Sequence, residues 1–203
     1  MTLIKAIALV FFLPLAAFGG EEFKPEKYNY VQAGFYTTDM ISVDRGIRVL
    51  GSKALEHNFF VEGEYKKSYG ESGALPTYRE WWLTSLIVNL GYVKPISNES
   101  EVVVRVGYER MSIDRWRNGA YHNSGDDNNY KASLMLMKES DNGMEIGVGL
   151  ELYKYDGVSE IGKYGMFAAT KKINSTYSLG MELTTTSNYG SYNSGTFFVR
   201  RYF

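Results

Sequence analysis

The chain has 203 residues, enough for one domain with a sizeable buried surface, and carries a formal net charge of −1. That balance excludes the clustered basic face of a typical nucleic-acid binder. The absence of cysteine excludes disulfides, thiolate metal sites and a cysteine nucleophile.

The first residues read as a targeting segment. Lys5 supplies a positive charge, Ala6 to Ala17 is apolar throughout, and Ala17-Phe18-Gly19 puts small residues where a signal peptidase cuts. The run falls short of the roughly 20 apolar residues a spanning helix needs. Residues 1–19 are therefore expected to be a cleaved signal peptide and 20–203 the mature domain.

From Lys27 onward, apolar and polar residues alternate with period two. The pattern predicts strands near 27–38, 45–55, 59–67, 79–92, 101–112, 129–137, 144–155, 161–170, 177–186 and 195–203. The richness in Tyr, Phe and Gly and the scarcity of Pro fit repeated strands and turns. Connections at 56–58, 94–100, 138–143 and 171–176 are short and rich in turn-formers, whereas Ser68–Tyr78, Ile113–Asn128 and Ser187–Ser194 read as longer polar loops. About ten strands, an even number, suit a closed antiparallel transmembrane β-barrel with short periplasmic turns and longer exterior loops. Eight strands is the alternative, if 161–170 and 177–186 are misread.

One strand face carries Val31, Phe35, Ile47, Val49, Leu86, Val88, Leu90, Val104, Leu134, Val148, Leu150 and Leu179, a lipid-facing belt. Its charges, Lys53, Arg110, Lys154 and Arg201, sit near strand ends, where long side chains reach the interface. The opposite face carries Gln32, Arg48, Glu62, Glu64, Arg105, Glu109, Lys131, Glu145, Glu151, Glu182 and Arg200. Alternation alone fits a soluble sandwich equally well. The export signal, the aromatics at strand ends and the final strand favour the barrel.

Buried charge is costly unless paired, so the inward set is expected to form cross-strand ion pairs that plug the lumen. A narrow ion or small-solute pore is the alternative, because rings of charge set selectivity in pores. The small interior of such a barrel favours the plug. Tyr69, Tyr78, Trp116, Tyr121, Tyr189 and Tyr192 fall in the expected exterior loops, where they suit either recognition or anchoring in lipopolysaccharide. His122 near Ser124, Asp126, Asp127 and Asp114 is the one constellation from which a rim enzyme could be built. A solvated loop is the simpler reading, and catalysis is not expected. His57 reads as a turn residue, and Gly125–Asn129 as a turn lacking calcium-loop spacing. No metal or cofactor is expected.

The last strand carries Phe197, Val199 and Phe203 in one frame. It resembles the C-terminal signal read by the barrel assembly machinery, with Arg201 departing from the usual apolar residue. The opening Tyr28-Asn29-Tyr30-Val31-Gln32-Ala33-Gly34-Phe35, the Gly46-Ile47-Arg48-Val49 and Ala54–Phe59 segments, and Val104-Arg105-Val106-Gly107-Tyr108-Glu109 resemble a family of small exported barrels of plant-associated and environmental proteobacteria. That family lies within the superfamily typified by outer membrane protein A. The resemblance implies a bacterial outer-membrane location, with membrane lipid, lipopolysaccharide and the assembly machinery as partners. It carries no catalytic residue.

Overall fold

Period-two alternation is realised as ten strands in the computed structural model, which describes residues 23–38, 44–73, 77–186 and 192–203. The expected signal peptide and Tyr189 lie outside the described residues. In chain order the strands are β1 (Tyr30–Thr38), β2 (Asp44–Ala54), β3 (Phe59–Ser72), β4 (Arg79–Ser97) and β5 (Ser100–Arg117), then β6 (Ala120–Glu139), β7 (Met144–Lys154), β8 (Gly162–Lys172), β9 (Tyr177–Thr186) and β10 (Tyr192–Tyr202). Each pairs antiparallel with the next, and β1 pairs with β10 from Tyr30↔Tyr202 to Thr38↔Ser194. The sheet thus closes on itself, and around the barrel wall every strand has a neighbour on each side. This is the ten-stranded architecture, not the eight-stranded alternative.

Turn chemistry sets the register. His57 and Asn58 adopt φ of 57° and 68°, and Asn118 and Gly119 φ of 51° and 78°. Two consecutive left-handed residues make the type I′ turn whose twist matches the flanking strands. His57 is accordingly a turn residue.

Three corrections concern strand length. β4, β5 and β6 span 19, 18 and 20 residues against 9 in β1. The expected loop Ile113–Asn128 is instead a two-stranded ribbon, and Gly125–Asn129 is strand rather than turn. A ribbon outside the membrane needs no apolar face, so its polar sequence reads as loop. Its turn and its cross-strand pairs hold it, including Trp116 against Tyr121 at 5.8 Å. At the other end, residues 27–29 are not strand: Pro25–Tyr28 is a 3₁₀ helix, with proline at its start where a missing N–H costs nothing. The expected 94–100 connection is also shorter. β4 continues to Ser97, with Pro95 accommodated at a register shift.

The outward face is the expected belt, with Phe35, Ile47, Leu86, Val88, Val148, Leu150 and Phe197 exposed. Val104 departs from it, being buried where the register sets it between Tyr92 and Leu134. Aromatic pairs bound the belt. Phe59 packs on Tyr92 at 5.1 Å near the short turns, while Tyr69 packs on Trp82 at 5.0 Å and Tyr108 on Tyr130 at 5.6 Å toward the long hairpins. Tyr92 and Trp82 are ten positions apart on β4, about 33 Å along the strand. At a tilt of about 40° that is about 25 Å along the barrel axis, the height of the apolar band of an outer-membrane barrel.

Glycines on the inner face make room for large side chains. A methyl group on Gly91 would overlap the Phe60 ring, and one on Gly180 the Phe198 ring. Gly91→Ala is expected to lower stability by about 1–3 kcal/mol through overpacking. Equilibrium denaturation in detergent micelles measures it, with Gly51→Ala, where nothing lies within 4 Å, as the neutral comparison.

Candidate functional site

The barrel interior is filled in layers, beginning at the short-turn end. There the 3₁₀ helix folds into the mouth and delivers Tyr28, which stacks on Phe60 at 4.6 Å and on Phe23 at 5.7 Å. Tyr28, Phe60, Val93, Val103, Met135 and Ala168 form one buried apolar cluster, with Met137 and Met166 against it. Lys27 latches the helix to the wall. Its Nζ lies 2.6 Å from Glu101 and also pairs with Glu145, and the Tyr28 hydroxyl donates to Glu101 at 2.7 Å. Burial alone would lower the Lys27 pKa, but the Glu145 and Glu101 charges more than offset it, and the pKa is raised. An amine with a raised pKa contributes its stability below its ordinary value and loses it only as pH climbs through the raised one. On the lysine side the latch therefore holds through the neutral range and is lost in strong alkali.

Above this floor lie the charged residues expected from strand parity. Arg105 Nε donates to Glu62 at 3.0 Å, and the Tyr30 hydroxyl and Asn89 amide also donate to Glu62, at 3.2 and 3.3 Å. Arg200 lies over the Tyr30 ring at 4.1 Å and donates to Gln32 at 3.0 and 3.2 Å. One step higher, Arg48 grips Glu64 with two hydrogen bonds of 2.8 and 3.1 Å and pairs with Glu182 on β9, beyond β1 and β10 round the barrel. Lys66 reaches Glu64 at 2.9 Å. Glu145 pairs with Lys27 rather than with another strand residue. Lys131 and Glu151 line a cavity of ≈130 Å³, and Glu109 is buried nearby on β5. None of these three makes an ion pair within 4.0 Å among the described residues. Sequence reasoning missed Lys27, Lys66 and Glu101. Lys66 shares the parity of Glu62 and Glu64, which was signal enough.

The remaining candidates scatter. Tyr69 lies on the outward face of β3 against Trp82, within the aromatic girdle rather than in a loop. Trp116 and Tyr121 stand near the tip of the β5–β6 ribbon, Tyr78 donates to Glu71 at 2.7 Å, and Tyr192 opens β10 rather than lying in a loop. His122 is the extra residue of a bulge in β6, and Ser124 is opposite Asp114. Asp126 is held by Arg110 at 3.4 Å, and no hydrogen bond joins His122 to Ser124, Asp126 or Asp127 among the described residues. Phe197, Val199, Arg201 and Phe203 face outward, all exposed.

A closed ten-stranded barrel with an apolar belt and a filled interior is the architecture of small outer-membrane proteins, and comparison with solved structures agrees. The chain is similar to the NanC porin at 10% identity and a TM-score of 0.51, over 84% of this chain and 98% of that one. It is similar to the KdgM porin at 13% identity and a TM-score of 0.50, over 86% and 99% of the two chains. Ail, the attachment invasion locus protein of Yersinia pestis, is also matched, at 8% identity and a TM-score of 0.43 over 85% and 95%. The fold is that of a small outer-membrane β-barrel. At these identities the likeness speaks for the fold alone. No protein-family model matches the chain, and no curated protein sequence matches it.

Proposed function

We propose that this protein is a closed barrel of the bacterial outer membrane that serves as a structural or surface-interaction protein rather than as an open pore. The observation that carries the reading is the double closure of the lumen, an apolar floor around Tyr28 and Phe60 beneath the Arg48–Glu64–Glu182 layer. Ions crossing the barrel would have to displace both. The short turns and termini then face the periplasm, and the longer hairpins the exterior, in keeping with barrels of this kind.

A narrow pore is the competing reading, supported by the ≈130 Å³ cavity, whose lining runs from Lys27 and Glu145 at the short-turn end past Arg48 and Glu64 to Thr184 and Ser194. Its walls include the side chains of both closures, Tyr28 at the floor and Arg48, Glu64 and Glu182 above it, and these narrow the path. Single-channel recording of the refolded chain in a planar bilayer separates the readings. The wild type is expected to be silent, and so is Arg105→Ala, because the Arg48 layer remains above it. Steady conductance of the wild type that changes in Arg105→Ala would replace the plug with a pore.

A further inference from the structure

The wall of the barrel is uneven. β6 pairs with β7 only from Tyr130 to Glu139, so residues 120–129 rise beside β5 with no second strand paired to them among the described residues. With the upper ends of β3, β4 and β5 they form a raised wall, about 30 Å long measured along the strands. Its inner face carries an arrangement opposite to that of the lumen. Arg79 on β4 is directly opposite Arg117 on β5, and Trp81 is opposite Arg115, which in turn faces Asn123 on β6. Side chains directly opposite have Cβ atoms about 5 Å apart, where like charges destabilise the pair.

Arg48 and Arg105 in the lumen each hold a glutamate, whereas Arg79, Arg115 and Arg117 form no ion pair among the described residues. Glu80 is the one acid among the residues lining this groove, and it makes no ion pair with the three arginines among the described residues. The groove has a volume of ≈310 Å³ and a fixed apolar floor. Trp81 is buried and donates through Nε1 to Asp44 at 3.0 Å, and Ile113 is buried beside it. Gly125 leaves space beneath the Arg115 guanidinium, which a Cβ there would meet at 3.7 Å.

Three guanidinium forks without a lysine match oxyanions that accept paired hydrogen bonds, and an apolar floor strengthens such contacts by lowering the local dielectric. A groove of this size belongs to the class that holds an organic ligand rather than a bare ion. We propose that the raised wall binds a phosphorylated or sulfated saccharide, with Arg79 and Arg117 sharing one ester oxyanion and Arg115 engaging a second. The ligand's ester groups could belong to neighbouring lipopolysaccharide or to a soluble glycan. The proposal rests on the exterior orientation argued above only for access to that ligand, since the groove itself is present whether or not the lumen conducts.

The test uses the full refolded chain in a zwitterionic detergent, titrated with persulfated maltose and with maltose. Persulfated maltose is expected to bind saturably, more weakly as salt is raised, and maltose not at all. Arg79→Gln and Arg117→Gln should each weaken binding about tenfold, the scale of one lost hydrogen bond to a charged group. Neither should lower the melting temperature of the free protein, because each removes half of a repelling pair. Arg110→Gln, on the outward face, should bind as the wild type does. No saturable binding at low salt, unchanged binding in both groove variants, or an equal loss in Arg110→Gln would overturn the proposal. Displacement of persulfated maltose by lipopolysaccharide micelles would assign the site to the membrane's own glycolipid, and persistence to a soluble glycan. A conducting wild type would refute the closed-lumen reading and leave these titrations unaffected.

Discussion

Glu64→Ala is expected to destabilise the barrel by about 3–5 kcal/mol, the cost of leaving buried charge without its partner. Glu64 is buried and accepts two hydrogen bonds from Arg48 and an ion pair from Lys66. Its removal leaves Arg48 with Glu182 and Lys66 without its ion pair inside a closed wall. The loss should show as an earlier midpoint in equilibrium denaturation from micelles, with the slope unchanged. The paired replacement Arg48→Met with Glu64→Leu should recover part of it, because taking away both charges removes their desolvation penalty along with the attraction but leaves Lys66 and Glu182 without these partners. If the single and paired variants were equally unstable, packing rather than charge would be responsible. The Arg110–Asp126 pair outside the barrel is exposed on both sides, and breaking it should leave the midpoint where it is.

That asymmetry bears on how much was legible in the sequence. Parity along a strand is a strong signal wherever one face meets lipid, because a slip of one residue would turn every charge outward. It puts Arg48, Glu62, Glu64, Arg105 and Arg200 on one face without any knowledge of the partner strands. What parity lacks is distance across the lumen. The Arg48–Glu182 pair joins strands that are not neighbours, and nothing in the local sequence of β2 points to β9. Lys66 escaped because a strand ending at 67 makes it an interfacial residue, whereas β3 continues to Ser72 and keeps it inside. Lys27 escaped for a different reason. Read as the start of a strand it has no lumenal role, and only the helix begun at Pro25 turns it into the mouth. The raised wall was the least legible feature. Above the membrane neither face need be apolar, so Arg79, Arg115 and Arg117 carry no periodic signature, and their opposition appears only once β4 and β5 are registered.

The two closures act in series, and this makes a prediction that neither alone would make. Tyr28→Ala with Phe60→Ala strips the rings from the floor but leaves the Arg48–Glu64–Glu182 layer intact. Arg48→Ala with Glu64→Ala opens the charged layer as a matched pair but leaves the apolar floor, whose Phe60 is fully buried. Each double variant is expected to stay silent in a planar bilayer, and the quadruple variant to conduct steadily. Like resistors in series, the narrower element dominates until both are widened. Removing two large aromatics costs roughly 3–5 kcal/mol each, so the refolded state of every variant must first be established from its circular dichroism and its resistance to protease. Conductance in the floor variant alone would mean that the charged layer passes ions, and the protein would then be a channel gated by its own amino-terminal helix. Conductance in the charge variant alone would reverse the assignment, making the ion pairs the barrier and the helix a peripheral fitting. A folded quadruple variant that remained silent would place the barrier above both layers, toward the buried Trp81–Asp44 pair at the foot of the raised wall.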